Sequence, residues 1–137
     1  CSLINANNGN VYAGLFEICE GKTLKSKLDF LSFKDSNGDI SLNPLRDFVE
    51  ENNEFSNISF IGDGAILYKD LIEKMIFKKY DITVIEEQIS TGISIGKIGY
   101  TKYKNGEYGD SSFLSPIYLR KSQAELALEE KNGIKND

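Results

Sequence analysis

The period of the hydrophobic pattern changes near Leu42, and this change constrains the fold more than any other feature of the sequence. Before it, short apolar stretches alternate with turn residues, such as the Asn-Asn-Gly-Asn run at residues 7–10, as in antiparallel strands. After it, Leu45, Phe48 and Val49 continue from Leu42 on one face of a helix. The pattern therefore predicts a meander of strands followed by alternating helices and strands.

Five strands and four helices follow from this pattern. The predicted strands are residues 3–6, 11–18, 24–33, 58–61 and 81–86. In the third of them the apolar side chains change face at Phe30 and Leu31, which predicts a bulge there. The last two strands flank a helix at residues 65–79, and a strand-helix-strand unit of this length makes its strands parallel. Another helix is expected to open at Asn43-Pro44.

The final third of the chain is glycine-rich and less regular. Residues 91–103 contain Gly92, Gly96 and Gly99, and each glycine costs a helix interior about 1 kcal/mol relative to alanine. The segment is either a helix that packs closely against another backbone or a looser glycine-rich connection. Further on, Ser122 and Glu125 have the spacing of a capping box, which predicts a short closing helix.

Composition excludes several classes of function. A net charge of −5 and a pI near 4.8 argue against a large basic surface, so no direct nucleic-acid contact is expected. No apolar run approaches the ~20 residues of a membrane span. The sequence contains no histidine, which rules out zinc-peptidase, Ser-His-Asp and Cys-His sites within it. With only Cys1 and Cys19 as thiols, a reducing, cytoplasmic location is expected, without a resident metal or cofactor.

The start of the sequence has a feature of its own. The chain opens Cys1-Ser2-Leu3-Ile4, without methionine, inside a strand-like segment. Domains rarely begin in the middle of an element, so we expect residues 1–137 to form a single domain from which an N-terminal portion is missing.

Three local patterns admit a chemical interpretation beside a structural one. Gly62-Asp63-Gly64 lies where a strand meets a helix, and it is either a vestigial nucleotide-binding loop or a tight turn capped by Asp63. Glu86 and Glu87 are adjacent on an extended segment and point to opposite faces, so they are interpreted as solvated charges rather than an acid–base pair. Residues 35–39 lack the spacing and closing Glu of a calcium loop and are interpreted as a turn.

Three blocks of sequence resemble the bacterial TsaB (YeaZ) family of tRNA-modification scaffold proteins, also called glycoprotease-like. The first runs from Asn5-Ala6-Asn7 to Val11-Tyr12-Ala13-Gly14-Leu15-Phe16, where the family usually has Asp-Ala-Arg, a short turn, and Val-Tyr followed by small or apolar residues. The second is residues 60–65, ending in Gly-Asp-Gly-Ala, and the third is Pro116-Ile117-Tyr118-Leu119-Arg120. The blocks occur in the family's order and span the chain.

The resemblance implies a fold and a function. The fold is the ribonuclease-H-like α/β lobe of actin-like ATPases: three antiparallel strands, then parallel strands, with helices on both faces. The chain would be the C-terminal lobe of a two-lobed protein of the actin and sugar-kinase superfamily. That protein is a noncatalytic scaffold, which works with TsaD and TsaE to make N6-threonylcarbamoyladenosine in tRNA. A lobe without its twin is also expected to self-associate through the surface exposed by the loss.

The sequence departs from the family pattern at two positions. Asn5 and Asn7 replace the family's Asp and Arg. In actin-like ATPases an acidic residue at the matching hairpin helps to hold magnesium, and Asn5 cannot ionise. The departure favours a site that does not hydrolyse nucleotide.

Two other functions compete with the scaffold interpretation. One is a degenerate nucleotide-binding lobe of a sugar-kinase-like or ATPase-type enzyme, against which Asn5 counts. The other is a peptidase, suggested only by the family's older label and disfavoured by the absence of histidine. Tyr118 and Arg120 either dock the end of the chain onto the lobe or, through the guanidinium, bind a carboxylate or phosphate.

Overall fold

The computed structural model describes most of the chain as a mixed α/β structure. The described residues are 1–20, 22–52, 56–75, 80–87, 90–107, 109–110, 112, 114–122, 124–125, 128 and 131. Among these residues, no helix combines the length and the apolar character needed to cross a membrane.

The first third of the chain forms a three-stranded antiparallel sheet in the order β1-β2-β3. The strands are β1 (Ser2–Asn5), β2 (Asn10–Cys19) and β3 (Lys22–Ser32). Ile4 pairs with Tyr12, and Tyr12 pairs in turn with Phe30. This confirms the predicted meander, with element ends shifted by one or two residues.

The turn between β1 and β2 explains the asparagine and glycine run in the sequence. Asn7, Asn8 and Gly9 have φ values of 61°, 52° and 79°, a left-handed conformation that these residue types adopt at low cost. The amide of Asn10 donates to the carbonyl oxygen of Asn7 at 2.9 Å, which closes the turn. The local sequence therefore fixes the register of the hairpin.

The predicted bulge at Phe30 and Leu31 is wrong. The only register shift in the β2–β3 pairing as described lies between Glu17 and Ile18, opposite which β3 has one extra residue. Leu31 is buried, whereas Leu28, on the opposite face, is 43% exposed. At Phe30 and Leu31 the pairing is continuous, and the alternation breaks in the sequence because both faces of the strand carry apolar side chains there.

A second sheet pairs β4 (Asn57–Phe60) with β5 (Asp81–Val84) in parallel, as the strand-helix-strand unit predicts. It adjoins β1 through a parallel bridge between Ser2 and Ile61. The amide of Leu3 donates to Ile61 at 2.8 Å, and the amide of Ile61 donates to Cys1 at 2.9 Å. Edge to edge, the strands therefore follow the order β3-β2-β1-β4-β5, with β1, β4 and β5 parallel.

Four helices have defined bounds within the described part of the chain. They are α1 (Asn43–Asn52), α2 (Asp63–Leu67), α3 (Lys69–Lys74) and α4 (Thr91–Lys104). The single helix predicted over 65–79 is therefore wrong: Tyr68, with φ −106° and ψ 16°, separates two short helices. Met75 is already extended, and residues 76–79 lie outside the described residues. The amphipathic pattern continues through Tyr68 because Ala65 and Ile72, on either side of it, contact the same core.

One buried cluster holds these elements together. It joins Leu3 and Val11 of the antiparallel sheet with Phe60 of β4, and α1, α2 and α3 supply the facing side chains. Its fully buried large side chains are Leu3, Val11, Phe33, Leu45, Val49, Phe60 and Ile72. Burial of this size is the main force that stabilises the fold.

The opposite face of the sheet is not covered by any helix in the described chain. Helix α4 forms as predicted, but none of its residues is buried. The predicted close packing of its glycines is also not found: no described atom lies within 4 Å of a Cβ built on Gly92, Gly96 or Gly99. The described residues therefore do not show the expected helices on both faces of the sheet.

Candidate functional site

The Gly62-Asp63-Gly64 loop contacts the end of β1 directly. Asp63 opens helix α2, and its Oδ1 atom accepts hydrogen bonds from the amide of Asn5 at 3.0 Å and of Gly64 at 2.9 Å. Asn5 is the last residue of β1, so one carboxylate oxygen ties two neighbouring strand ends together. The first and second family-like blocks, 58 residues apart in sequence, therefore meet through this hydrogen bond.

The two glycines of the loop are required by close approach to β1. Gly62 has φ 102° and ψ 170°, a conformation essentially restricted to glycine. A Cβ built there would lie 2.4 Å from the carbonyl oxygen of Leu3, and a Cβ on Gly64 would lie 3.0 Å from the same atom. The pair of glycines lets the loop and helix α2 pack against the main chain of β1.

Asn5 and Asn7 both act in the hairpin turn. The Asn5 Oδ1 atom accepts the amide hydrogen of Asn7 at 2.9 Å, which forms an Asx turn. Asn7 then contributes its left-handed backbone, and its carbonyl oxygen accepts a bond from the Nδ2 atom of Asn10 at 3.0 Å. These contacts account for both asparagines without a bound ligand.

The residues of this junction can carry out little chemistry. Asp63 is the charged side chain that joins the loop to β1, and its Oδ1 atom is used by main-chain amides. In the described parts of the chain, no group of three or more Cys, Asp or Glu side chains is arranged to hold a metal ion. The turn-capping interpretation of Asp63 accounts for both of the hydrogen bonds that its Oδ1 atom accepts from main-chain amides.

A second cluster brings the first family-like block together with the third. The rings of Tyr12 and Phe30 lie 5.4 Å apart and are inclined at 56°. The guanidinium of Arg120 lies 5.4 Å from the centre of the Phe30 ring, within the range of a cation–π interaction. Arg120 thus holds the end of the chain against the outer face of the sheet, which is the docking role considered from the sequence.

Three residues of the closing motif, Pro116 to Tyr118, lie on the surface, whereas Leu119 is half-buried. Pro116 is exposed and Tyr118 is 84% exposed.

The predicted capping box is confirmed: the amide of Ser122 donates to Glu125 at 2.6 Å, and the amide of Glu125 donates to the Ser122 hydroxyl at 3.3 Å.

The two remaining candidate patterns have structural roles. Asp35 accepts the amides of Asn37 at 2.8 Å and Asp39 at 3.0 Å through Oδ1, which confirms the turn. Glu86 lies after β5 and accepts a hydrogen bond from Lys69 on α3. That bond, together with the charge of Glu86, raises the pKa of the Lys69 ammonium. Glu86 and Glu87 are both exposed.

Sequence reasoning missed Phe30 and Leu3. Phe30 joins Tyr12 to Arg120, and the main chain of Leu3 is the surface against which Gly62 and Gly64 pack. The alternation of β3 contained a signal for Phe30, because an aromatic residue on the solvent face of a strand needs a partner. A main-chain contact such as that of Leu3 has no side-chain signal.

A shallow, open depression of about 340 Å³ lies along the second half of α4. Lys97, Lys102 and Glu107 are among the residues that line it, and none of the predicted site residues does. The depression therefore adds no chemistry to the junction of β1 with α2.

Comparison with known proteins found no matching family model, no matching curated protein and no matching solved structure.

Proposed function

We propose that this chain is the C-terminal lobe of a TsaB-type scaffold subunit, which supports the formation of N6-threonylcarbamoyladenosine in tRNA without catalysing it. Its partners in that role are TsaD and TsaE, and it works in the cytoplasm. The observation that carries the proposal is that the first family-like block contacts the second directly, through Asn5 and Asp63, and approaches the third through Phe30, whose ring contacts both Tyr12 and Arg120.

The strand order supports the ribonuclease-H-like part of the proposal. Two hydrogen bonds and one bridge set β1 beside β4, which gives the order β3-β2-β1-β4-β5 with an antiparallel half and a parallel half. The lobe that the resemblance implies likewise has three antiparallel strands followed by parallel ones. In that fold, α4 would complete the second helical layer.

The positions of the blocks provide independent support. Residues that resemble a family only by chance have no reason to make contact once the chain is folded. Here the end of the first block is bonded to Asp63 of the second, and Tyr12 of the first shares Phe30 with Arg120 of the third. The contacts join segments separated by up to ninety residues, so local sequence does not impose them.

The noncatalytic part of the proposal is supported by side-chain chemistry. The chain contains no histidine, and Asn5 stands where an actin-like ATPase has an acidic residue. The amide oxygen of Asn5 is used in the hairpin turn, and the Asp63 carboxylate is used by main-chain amides. A group engaged in this way is poorly placed to orient a water or a metal ion.

A chimera tests the scaffold proposal. The first lobe of a bacterial TsaB is fused to this chain, and threonylcarbamoyl transfer to tRNA is measured with TsaD and TsaE. Transfer well above that of TsaD and TsaE alone is expected, because the second lobe supports the first. A folded, soluble chimera that gives no stimulation would overturn the proposal. The same chimera with Asn5→Asp serves as a matched control, which should be equally active if position 5 has no catalytic role.

The alternative of a degenerate nucleotide-binding lobe rests on one feature, the position of the loop around Asp63 at the ends of two parallel strands. Calorimetric titration with ATP and magnesium tests it. Saturable binding that Asp63→Ala abolishes would favour this alternative over the scaffold role.

A further inference from the structure

The sequence contains four Asn-Gly pairs, and the structure describes three of them. An asparagine followed by glycine is prone to spontaneous deamidation, because glycine has no Cβ to hinder the attack of its main-chain nitrogen on the asparagine side chain. In a folded protein the reaction also requires that this nitrogen is free and can reach the side chain. The described pairs are Asn8-Gly9, Asn37-Gly38 and Asn105-Gly106.

Main-chain hydrogen bonds distinguish the three pairs. The amides of Gly38 and Gly106 each donate to the carbonyl oxygen of the residue three positions earlier, at 3.1 Å and 3.0 Å. The amide of Gly9 donates to no described residue, and the carbonyl oxygen of Asn8 accepts from none. Of the three described pairs, the first is therefore the one whose peptide unit can rotate without breaking a hydrogen bond.

The turn that contains this peptide unit provides a route to the reactive geometry. Asn8 and Gly9 have φ values of 52° and 79°, and the amide of Asn10 bonds to the carbonyl oxygen of Asn7, as in a type I′ turn. Rotation of the central peptide unit alone converts this turn to type II′, in which ψ of the first central residue is about −120°. At that angle the Gly9 nitrogen eclipses the Cβ atom of Asn8, as it does in a succinimide ring. The bond from the Phe33 amide to Gly9 does not have to break.

We infer that Asn8 is the residue of the three described pairs that deamidates fastest in the folded chain. The Gly9 nitrogen loses its proton to solvent base and attacks Cγ of Asn8, so that a C–N bond forms, the Cγ–Nδ2 bond breaks and ammonia leaves. Water then opens the succinimide at either carbonyl, which gives aspartate or isoaspartate. The net reaction consumes one water and releases one ammonia. The inference does not depend on the scaffold function.

The product would alter the junction of the first two family-like blocks. Isoaspartate adds a negative charge and one carbon atom to the main chain between Asn7 and Asn10. The amide of Asn7 is bonded to the side chain of Asn5, whose own amide donates to Asp63. A longer main chain at residue 8 therefore disturbs the turn that sets the register of β1, and the isoaspartate form should unfold at lower urea concentration than the unmodified chain.

Peptide mapping by mass spectrometry tests the inference on the whole chain, incubated at mildly alkaline pH so that the glycine amides ionise more readily. Replacement of the side-chain amino group by hydroxyl is followed with time at each Asn-Gly pair, and chromatography separates aspartate from isoaspartate. Asn8 should react roughly threefold to tenfold faster than Asn37 and Asn105, the factor that corresponds to one main-chain hydrogen bond. A rate at Asn8 no higher than at the other two would overturn the inference.

The same incubation in urea is the matched control, because the three pairs then keep their glycine neighbours and lose the folded structure. Their rates should come within about twofold of one another. A difference that persists in urea would also overturn the inference, since local sequence would then set the order.

A variant identifies the source of the signal. Asn8→Gly removes the side-chain amide and still accepts a positive φ, so the hairpin should form as before. It should abolish isoaspartate in the turn and leave the rates at Asn37 and Asn105 unchanged. Isoaspartate that persists in the turn peptide of this variant would show that Asn8 is not its source.

Discussion

Gly62 is the position at which one added methyl group should destabilise the fold most. The residue has φ 102° and ψ 170°, and a Cβ there would lie 2.4 Å from the carbonyl oxygen of Leu3. The obstacle is main chain, so it cannot move aside as the tip of a flexible side chain could. Gly62→Ala must therefore shift the loop away from β1 or distort its backbone.

The magnitude follows from two contributions. A non-glycine residue in this backbone conformation costs about 1–3 kcal/mol. Moving the loop also weakens two hydrogen bonds, from the Asn5 amide to Asp63 and from the Leu3 amide to the carbonyl oxygen of Ile61, each worth about 1 kcal/mol. Together they give a loss of about 3–5 kcal/mol in the free energy of unfolding, a large share of the 5–15 kcal/mol typical of a domain.

Three further glycine-to-alanine variants separate these contributions. Gly38 has φ 87° with nothing within 4 Å of its Cβ position, so Gly38→Ala isolates the cost of the backbone conformation at about 1–2 kcal/mol. Gly64→Ala isolates the cost of close approach, because its Cβ would lie 3.0 Å from the main chain of Leu3 while its φ is not left-handed. We expect it to lower the free energy of unfolding by about 1–3 kcal/mol. Gly99→Ala, in the open part of α4, should raise the free energy of unfolding by up to about 1 kcal/mol.

Equilibrium unfolding in urea measures all four variants, with the midpoint and slope compared at constant temperature. The expected order of stability is Gly99→Ala, wild type, Gly38→Ala and Gly64→Ala together, then Gly62→Ala. A Gly62→Ala variant that is no less stable than Gly38→Ala would refute the reasoning, because it would mean that the loop does not press against β1.

The remaining predictions concern the two contacts and the proposed function. Asp63→Ala should lower the free energy of unfolding by about 1–2 kcal/mol and Asp63→Asn by less, since an amide oxygen still accepts both main-chain hydrogens; equal losses in urea unfolding would contradict this. Arg120→Ala should speed chymotryptic cleavage after Tyr118 by roughly two- to fivefold, as loss of about 0.5–1 kcal/mol of attraction to Phe30 implies; an unchanged rate would show that the contact does not hold the segment. No turnover of ATP or peptide is expected from the chain, and an activity that Asp63→Ala removes would disprove it. A pull-down should find no binding of TsaD to this chain alone, and tight binding would move the partner surface to this lobe.

The sequence determined most of the local structure. The Asn-Asn-Gly turn specifies a hairpin because its residues accept positive φ, and the Ser122–Glu125 spacing specifies a capping box because both partners lie within one turn. The parallel pairing of β4 with β5 also followed from sequence, since a crossover of that length permits little else. In each of these cases the deciding interactions are short-range or imposed by chain connectivity.

Tertiary structure decided what the pattern left open. The helix break at Tyr68 lies inside a continuous apolar pattern, because both short helices face one core and periodicity does not record the change of direction. The role of Gly62 depends on the main chain of Leu3, and the role of Arg120 depends on the ring of Phe30. These partners are distant in sequence, and only the folded arrangement of the strands brings them within reach.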